Sequence, residues 1–209
     1  MMGLIKGSGG FTRFTVNGAP PPDYLEQYTE QISHFAFTTL DEYSDEERAT
    51  GWVNIMNIFD CQFLDRNFFK HPYITLTWRL DIRKVPQKAL NQHCFEAEEE
   101  IKHEEDIEFL HKKHRKEIKE MMWRKLLKRA IPNSYTYDMV WNLESSTVIF
   151  GGTGDKVCDE FSECFTKTFD LTLSPVFPYS LAFSLLEKEK LNTGLLEALR
   201  PIDFIGEAQ

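Results

Sequence analysis

Apolar and polar residues alternate most regularly between Tyr73 and Ile82. The apolar positions are Ile74, Leu76, Trp78, Leu80 and Ile82, and the positions between them hold Tyr73, Thr75, Thr77, Arg79 and Asp81. Successive side chains of a strand point to opposite faces of a sheet, so this stretch predicts a strand with one apolar and one polar face. Shorter alternations predict a strand over 10–16 and a hairpin of strands over 135–143 and 147–150.

Apolar residues recur at helical spacing in other segments. The first such segment follows three prolines and contains Tyr24, Leu25, Tyr28, Ile32 and Phe35, and the second spans 156–169 with Val157, Phe161, Phe165 and Phe169 on its apolar face. Shorter helical patterns cover 179–186 and 194–199. Residues 41–50 are acidic and polar and predict a loop, while Trp52 beside Val53 is typical of a core residue.

The longest uninterrupted pattern lies between Pro86 and Pro132. This segment contains neither proline nor glycine and is dominated by Ala, Glu, Lys, Leu, Met and Arg, which predicts helix. Its apolar stripe consists of Ile118, Met121, Met122, Leu126 and Ala130, and Trp123 and Leu127 widen it. A single helix of this length would be roughly 66 Å long, which is too long for a domain of this size. We therefore expect a break between His93 and Phe109, giving a helical hairpin or a projecting arm.

These elements together predict an α+β fold. In this fold, strand-helix-strand lobes with mainly antiparallel sheets are joined by a long charged helical arm. We expect an N-terminal α+β lobe over 1–90, the charged helical arm over 91–131 and a C-terminal α+β lobe over 132–209. The chain has 209 residues, 42% of them hydrophobic, which is enough to bury a substantial core.

Charge is distributed unevenly along the predicted arm. Its first part, from Glu96 to Glu108, is acidic, whereas the stretch from Lys112 to Arg129 carries nine basic and two acidic residues in a chain of formal net charge −9. Basic charge concentrated on one helix favours a polyanionic partner. The alternative is a solvated helix whose charges pair at a spacing of four residues.

The candidate DNA-binding residues are the bases of this helix and a second patch at the end of the long strand. The first set is Lys112, Lys113, Lys116, Lys119, Arg124, Lys128 and Arg129, and the second is Arg83, Lys84 and Lys88. No cluster of Asn or Gln accompanies them, so we expect contacts to DNA phosphates rather than to base edges.

Sites of other chemistry are not indicated. The four cysteines have no paired spacing, and His111 and His114 are flanked by cationic residues that would repel a metal ion. The loop from Gly151 to Lys156 matches neither the P-loop pattern nor the dinucleotide-binding pattern. We therefore expect no cofactor, no bound metal and no enzymatic activity. A metal-dependent nuclease using carboxylates of the acidic segment remains an alternative.

Short motifs in a fixed order along the chain resemble the recombination-associated RdgC family. They are Phe11-Thr12-Arg13-Phe14, Phe35-Ala36-Phe37, Gly51-Trp52-Val53, Arg83-Lys84-Val85-Pro86, Leu126-Leu127-Lys128-Arg129-Ala130-Ile131, Val140-Trp141-Asn142 and Leu171-Thr172-Leu173-Ser174-Pro175. The resemblance implies a bacterial, cytoplasmic, nucleoid-associated protein. No apolar run in the sequence approaches the length of a membrane span, so we expect no membrane contact. Such proteins bind double-stranded DNA without sequence preference, form a ring-shaped homodimer with a positive inner surface, and restrain strand exchange by the recombinase. The family is also described as an exonuclease.

Two positions can be carried over from the family. Arg129 matches an arginine near the DNA-facing helix, and Ile131 stands where the family often has an aromatic residue that helps to close the ring. The chain is shorter than is usual for the family, and its acidic segment, Glu96 to Glu108, must lie away from a DNA path or imitate DNA. The rival hypothesis is a protein-interaction or oligomerisation module that pairs its acidic and basic segments and does not bind DNA.

Overall fold

The computed structural model describes residues 9–63 and 65–197. In chain order, the elements are β1 (Thr12–Asn17), α1 (Tyr24–His34), β2 (Arg48–Val53), β3 (Phe69–Lys70), β4 (Tyr73–Ile82), α2 (Gln87–Glu105), α3 (Lys112–Arg129), β5 (Asn133–Asn142), β6 (Thr147–Phe150), α4 (Asp155–Phe169), β7 (Thr172–Pro175) and α5 (Pro178–Lys188), followed by a short 3-10 turn at Thr193–Leu195. The helix predicted over 194–199 lies partly outside the described residues.

The strands form one antiparallel sheet in the order β2-β4-β5-β6-β1-β7, with β3 paired to the start of β4. Strand β4 has the bounds predicted from its alternation, and it pairs with β5 over ten positions from Tyr73 opposite Asn142 to Ile82 opposite Asn133. The predicted hairpin of β5 and β6 is also present. The α+β class is therefore confirmed.

One face of the sheet is covered by α1 and α4. The largest buried side chains on this face are aromatic: Tyr28, Trp52, Trp78, Trp141, Phe150, Phe161, Phe165 and Phe169. Trp52 is fully buried, as predicted, and its indole N–H donates to the Thr168 hydroxyl at 2.8 Å. Phe150 and Phe161 stack with a centroid separation of 3.8 Å. Interlocking aromatic rings of this kind fix α4 on the sheet.

Segments on both sides of the charged helices contribute to this one sheet, because β4 precedes the helices and β5 follows them. The predicted division places these two strands in separate lobes. That division into 1–90, 91–131 and 132–209 stays a prediction, with residues 1–8 and 198–209 outside the described part. Residues 48–50, predicted as loop, instead begin the edge strand β2.

The long helical segment breaks at Asp106, which adopts a left-handed conformation with φ of 51° at the end of α2. This position lies within the range predicted for the break. Helices α2 and α3 then pack against each other through buried Ala97, Leu110 and Ile118. They form a helical hairpin, whereas its role as a projecting arm stays a prediction. No helix in the described ranges has both the length and the apolar character needed to span a membrane.

Candidate nucleic-acid interface

The helical hairpin connects the end of β4 to the start of β5. Ile82 lies opposite Asn133 in the sheet, and further along Glu98 of α2 contacts Arg115 of α3 at 3.3 Å. The two helices therefore run in opposite directions and keep nearly the same register as the strands. As a result, Lys84 and the first turn of α2 lie level with the last turns of α3.

This register brings together two basic patches that are about 40 residues apart in sequence. In an unfolded chain, holding two such distant segments together would cost loop-closure entropy, so their proximity depends on the fold. They form the body-proximal cluster, whose members are Lys84, Lys88, Arg124, Lys125, Lys128 and Arg129. All six side chains are exposed. Lys125 was not among the predicted site residues, although it lies in the same basic run.

A single carboxylate opposes the body-proximal cluster among the described residues. Asp45, in the loop that precedes β2, lies 3.6 Å from the Lys128 ammonium and 3.9 Å from the Arg124 guanidinium. The other four members form no ion pair with any described residue. Exposed ion pairs at these distances are weak, so a phosphate can compete with Asp45 for both cations.

Arg83 lies elsewhere than the other predicted bases. Its side chain is only 3% exposed, and its guanidinium donates to the backbone carbonyls of Leu40, Asp41 and Ser44 at 3.4, 3.0 and 3.4 Å. These bonds hold the loop that carries Asp45 against the root of the hairpin. Arg83 is therefore committed to the interior, and we leave it out of the proposed DNA-contacting surface.

The remaining predicted bases form a distal cluster, Lys112, Lys113, Lys116 and Lys119, at the far end of α3. All four are exposed, but two are paired along the helix, Lys113 with Glu117 at 4.0 Å and Lys116 with Glu120 at 3.8 Å. The acidic half of α2 lies beside this end of α3. Opposing charge therefore reduces the positive potential of the distal cluster relative to the body-proximal one.

The environment of Cys94 reflects the same mixture of charges. Burial raises the pKa of the Cys94 thiol, the Glu98 carboxylate raises it further, and the Lys119 ammonium lowers it. Cations and carboxylates thus lie side by side where α2 and α3 meet.

Met121, which the sequence pattern placed in the packed stripe, is 54% exposed on this hairpin. Ile118 and Leu127, which were also predicted on the packed face, are buried, with 5% and 1% of their surface exposed.

Within residues 9–63 and 65–197, no group of three or more His, Cys, Asp or Glu side chains is placed to hold a metal ion. Two of the α2 carboxylates are instead paired with Lys or Arg, Glu98 with Arg115 and Glu99 with Lys102 at 2.7 Å.

Comparison with known proteins identifies a family. A family model described as "Putative exonuclease, RdgC" matches residues 16–186, which is most of the chain. No curated protein matches the chain.

Proposed function

Because the chain belongs to the RdgC family, we propose that it binds double-stranded DNA without sequence preference through the bases of its helical hairpin. The observation that supports this proposal is the body-proximal cluster, in which six exposed bases face one exposed carboxylate. Lysine and arginine side chains on a rigid helix are suited to contact phosphates along a duplex.

The proposal places the main DNA contacts at the root of the hairpin. There, Lys125 and Arg129 have no ion pair with a described residue, so they need not exchange one partner for another. Arg124 and Lys128 must leave Asp45 before they bind phosphate. The distal lysines contribute less, because α2 carboxylates lie beside them. Binding of this kind releases counterions and is strongly weakened by salt.

Binding of the protein along duplex DNA would modulate recombination. A protein that occupies duplex DNA without sequence preference limits the access of a recombinase to that duplex, and this antagonism is the cellular role that we propose in the nucleoid. We also propose that the protein acts as a homodimer. Ile131 follows α3 directly and is 87% exposed, which suits an apolar contact between two copies at the position that the family resemblance implies.

The test is fluorescence anisotropy of a labelled random-sequence duplex titrated with the protein over a salt series. We expect log affinity to fall linearly with log salt, with a slope that divided by roughly 0.9 gives about four or more phosphates neutralised. Equal affinity for duplexes of unrelated sequence is expected in the same experiment. Absence of binding at low salt would overturn the proposal.

The family description also motivates a nuclease test. The same end-labelled duplex is incubated with the protein and Mg²⁺, and the length of the labelled strand is followed by gel electrophoresis. DNA binding without cleavage is the expected result. The contrary result is a labelled strand that shortens only with Mg²⁺ and stays intact with a Glu104→Gln, Glu105→Gln variant. That result would show that the protein is a metal-dependent nuclease.

The second candidate function is a protein-interaction module. Acidic and basic segments of the hairpin already pair within one chain, as Glu98 and Arg115 do, and the same pairing between copies would join two subunits. Light scattering separates the two functions. Subunit association that salt abolishes, together with no DNA affinity, would favour the interaction module.

A further inference from the structure

The helical hairpin exposes an aromatic ring midway along α2. The Phe95 side chain is 65% exposed and makes no ring contact with another described residue. Its neighbour Cys94 is half-buried and lies near the Lys119 ammonium of α3. Phe95 therefore stands at the border between the packed stripe of the hairpin and solvent.

The helical repeat shows which flank of the hairpin carries this ring. Because successive residues of a helix are about 100° apart, Glu98 and Phe95 lie in the same direction round α2 from buried Ala97, at about 100° and 160°. On that side, Glu98 reaches Arg115 of α3 at 3.3 Å. This contact identifies the flank of α3 that faces the same way as Phe95.

The matching flank of α3 is basic. Three lysines lie in the same direction as Arg115 from buried Ile118, at about 100° to 160° round the helix. They are Lys112, Lys116 and Lys119. On α2, Lys88 and Lys102 lie two turns before and after Phe95, which is about 10 Å along the axis in each direction. We call Phe95 and these five lysines the Phe95 flank.

Acidic side chains oppose this flank only weakly. Three α2 carboxylates lie in the other direction round the helix from Ala97, on the far side of the hairpin, namely Glu96, Glu100 and Glu104. Glu98 and Glu99 follow Phe95, but they are paired with Arg115 and Lys102. Three lysines of the Phe95 flank form no ion pair with any described residue, namely Lys88, Lys112 and Lys119.

An exposed ring between lysines is suited to a nucleic acid whose bases are free. Single-stranded DNA presents unpaired bases that stack on aromatic side chains, while its phosphates contact the lysines on either side. In a duplex the bases stack on one another inside the helix, so their faces are closed to a side chain outside it. The Phe95 flank therefore differs from the body-proximal cluster in the form of DNA that it fits.

We propose that Phe95 stacks on an unpaired base of single-stranded DNA, whose phosphates lie along Lys88, Lys112 and Lys119. This inference rests on the proposed function, because it assigns a second form of DNA to the same hairpin. Duplex contacts concentrate at the root of the hairpin, whereas the stacking residue lies midway along it. Lys88 belongs to both surfaces.

The variants separate the ring from the apolar character of the side chain. Phe95→Leu removes the ring and stays apolar, whereas Phe95→Tyr keeps a ring that can stack. Phe109→Leu is the matched control, because it makes the same change at a phenylalanine that is 80% exposed between α2 and α3. Affinities for labelled oligothymidine and for a labelled duplex are measured by anisotropy at the same low salt. Thermal unfolding verifies that each variant is folded.

We expect the affinity for oligothymidine to fall about fivefold to a hundredfold in Phe95→Leu and to stay within about twofold in Phe95→Tyr and Phe109→Leu. Duplex affinity should change by less than about twofold in all three variants. Equal oligothymidine affinity of Phe95→Leu and the unmodified protein would overturn the proposal. An equal loss for the duplex would also overturn it, because Phe95 would then act on the hairpin and not on an unpaired base.

A spectroscopic measurement tests the stacking itself. One thymidine of the oligonucleotide is replaced by 2-aminopurine, whose fluorescence is quenched when it stacks on an aromatic ring. The unmodified protein and Phe95→Tyr should quench it at saturation, and equal quenching by Phe95→Leu would overturn the proposal. A protein that binds the duplex but not oligothymidine would overturn this inference alone, whereas a protein that binds neither would overturn the proposed function as well.

Discussion

The carboxylate of Asp45 lies 3.6 Å from the ammonium of Lys128, on the surface where the helical hairpin joins the sheet. The same carboxylate lies 3.9 Å from the guanidinium of Arg124. An acidic side chain from a distant loop thus lies against two of the bases that we propose to contact DNA phosphates. In the proposed complex, DNA phosphates therefore compete with the Asp45 carboxylate for Lys128 and Arg124, and this competition lowers the affinity for DNA.

The first prediction concerns this internal anion. Asp45→Asn should raise affinity for duplex DNA by about two- to fivefold, because exposed ion pairs are worth roughly 0.2–1 kcal/mol. Anisotropy at fixed low salt measures the change. Glu42→Gln is the control, since it removes one negative charge from the same loop and Glu42 forms no ion pair with a described residue. Equal gains in both variants would mean that only net charge matters.

The second prediction ranks the two basic clusters. Replacing Lys125 and Arg129 by Gln should weaken DNA binding for all sequences alike and reduce the magnitude of the salt slope by about 1.8, or roughly 0.9 for each phosphate that the variant no longer neutralises. The matched variant replaces Lys112 and Lys113 by Gln, with the same change of charge, and should have the smaller effect. The opposite ranking would place the DNA at the far end of the hairpin.

The third prediction separates a structural arginine from a DNA-contacting neighbour. Arg83→Met should lower the free energy of unfolding by about 2–4 kcal/mol, because the backbone carbonyls of Leu40, Asp41 and Ser44 lose their charged donor. Lys84→Met, at the next and exposed position, should leave stability within about 0.5 kcal/mol and weaken DNA binding. Urea unfolding and anisotropy measure the two effects. A stable Arg83→Met protein with weakened DNA binding would place Arg83 on the DNA surface instead.

The fourth prediction tests the close approach that covers part of the β2 edge. A Cβ atom on Gly51 would lie 2.4 Å from Phe37 Cα, so Gly51→Ala must displace the segment 35–37. We expect a decrease of about 1–3 kcal/mol in stability. Gly154→Ala is the control, because a Cβ there meets no atom within 4 Å. Thermal unfolding of both variants measures the difference, and equal midpoints would contradict the assigned packing of Gly51 on Phe37.

The fifth prediction concerns pH and Cys164. Burial raises the pKa of the Cys164 thiol to about 11. In the unfolded chain the thiol ionises near its ordinary value, so between that value and about pH 11 the native state holds a proton that the unfolded state has released. Stability is therefore complete below this window and falls as pH rises through it, by up to about 2–3 kcal/mol.

Cys164→Ala removes this contribution and isolates it from other titrating groups. The difference in unfolding free energy between the two proteins should narrow as pH rises from about 8 to 11, since only the unmodified chain is destabilised through this thiol. Denaturant unfolding at several pH values measures it. A constant difference across the window would show that Cys164 ionises alike in the folded and unfolded states.

Local sequence pattern was sufficient for most of the elements and for the fold class. The alternation over 73–82 defined β4, and the apolar spacing over Phe161, Phe165 and Phe169 defined the buried face of α4, because both depend on the repeat of one element. The absence of proline and glycine between Pro86 and Pro132 likewise predicted the paired helices. The basic run on α3 was visible for the same reason, since charge along one helix needs no knowledge of its neighbours.

Only the tertiary structure decided which charges are free. In the sequence, Arg83 groups with Lys84 and Lys88. In the structure, Arg83 is buried and donates to three backbone carbonyls, whereas the two lysines are exposed. Packing also brings Asp45 to Lys128 and places the acids of α2 beside the distal lysines. The open edge of β2 was equally hidden, because the predicted loop there gave no sign of a strand. Charge pairing and the exposure of a sheet edge depend on which segments, distant in sequence, come into contact. Local periodicity carries no information about such contacts.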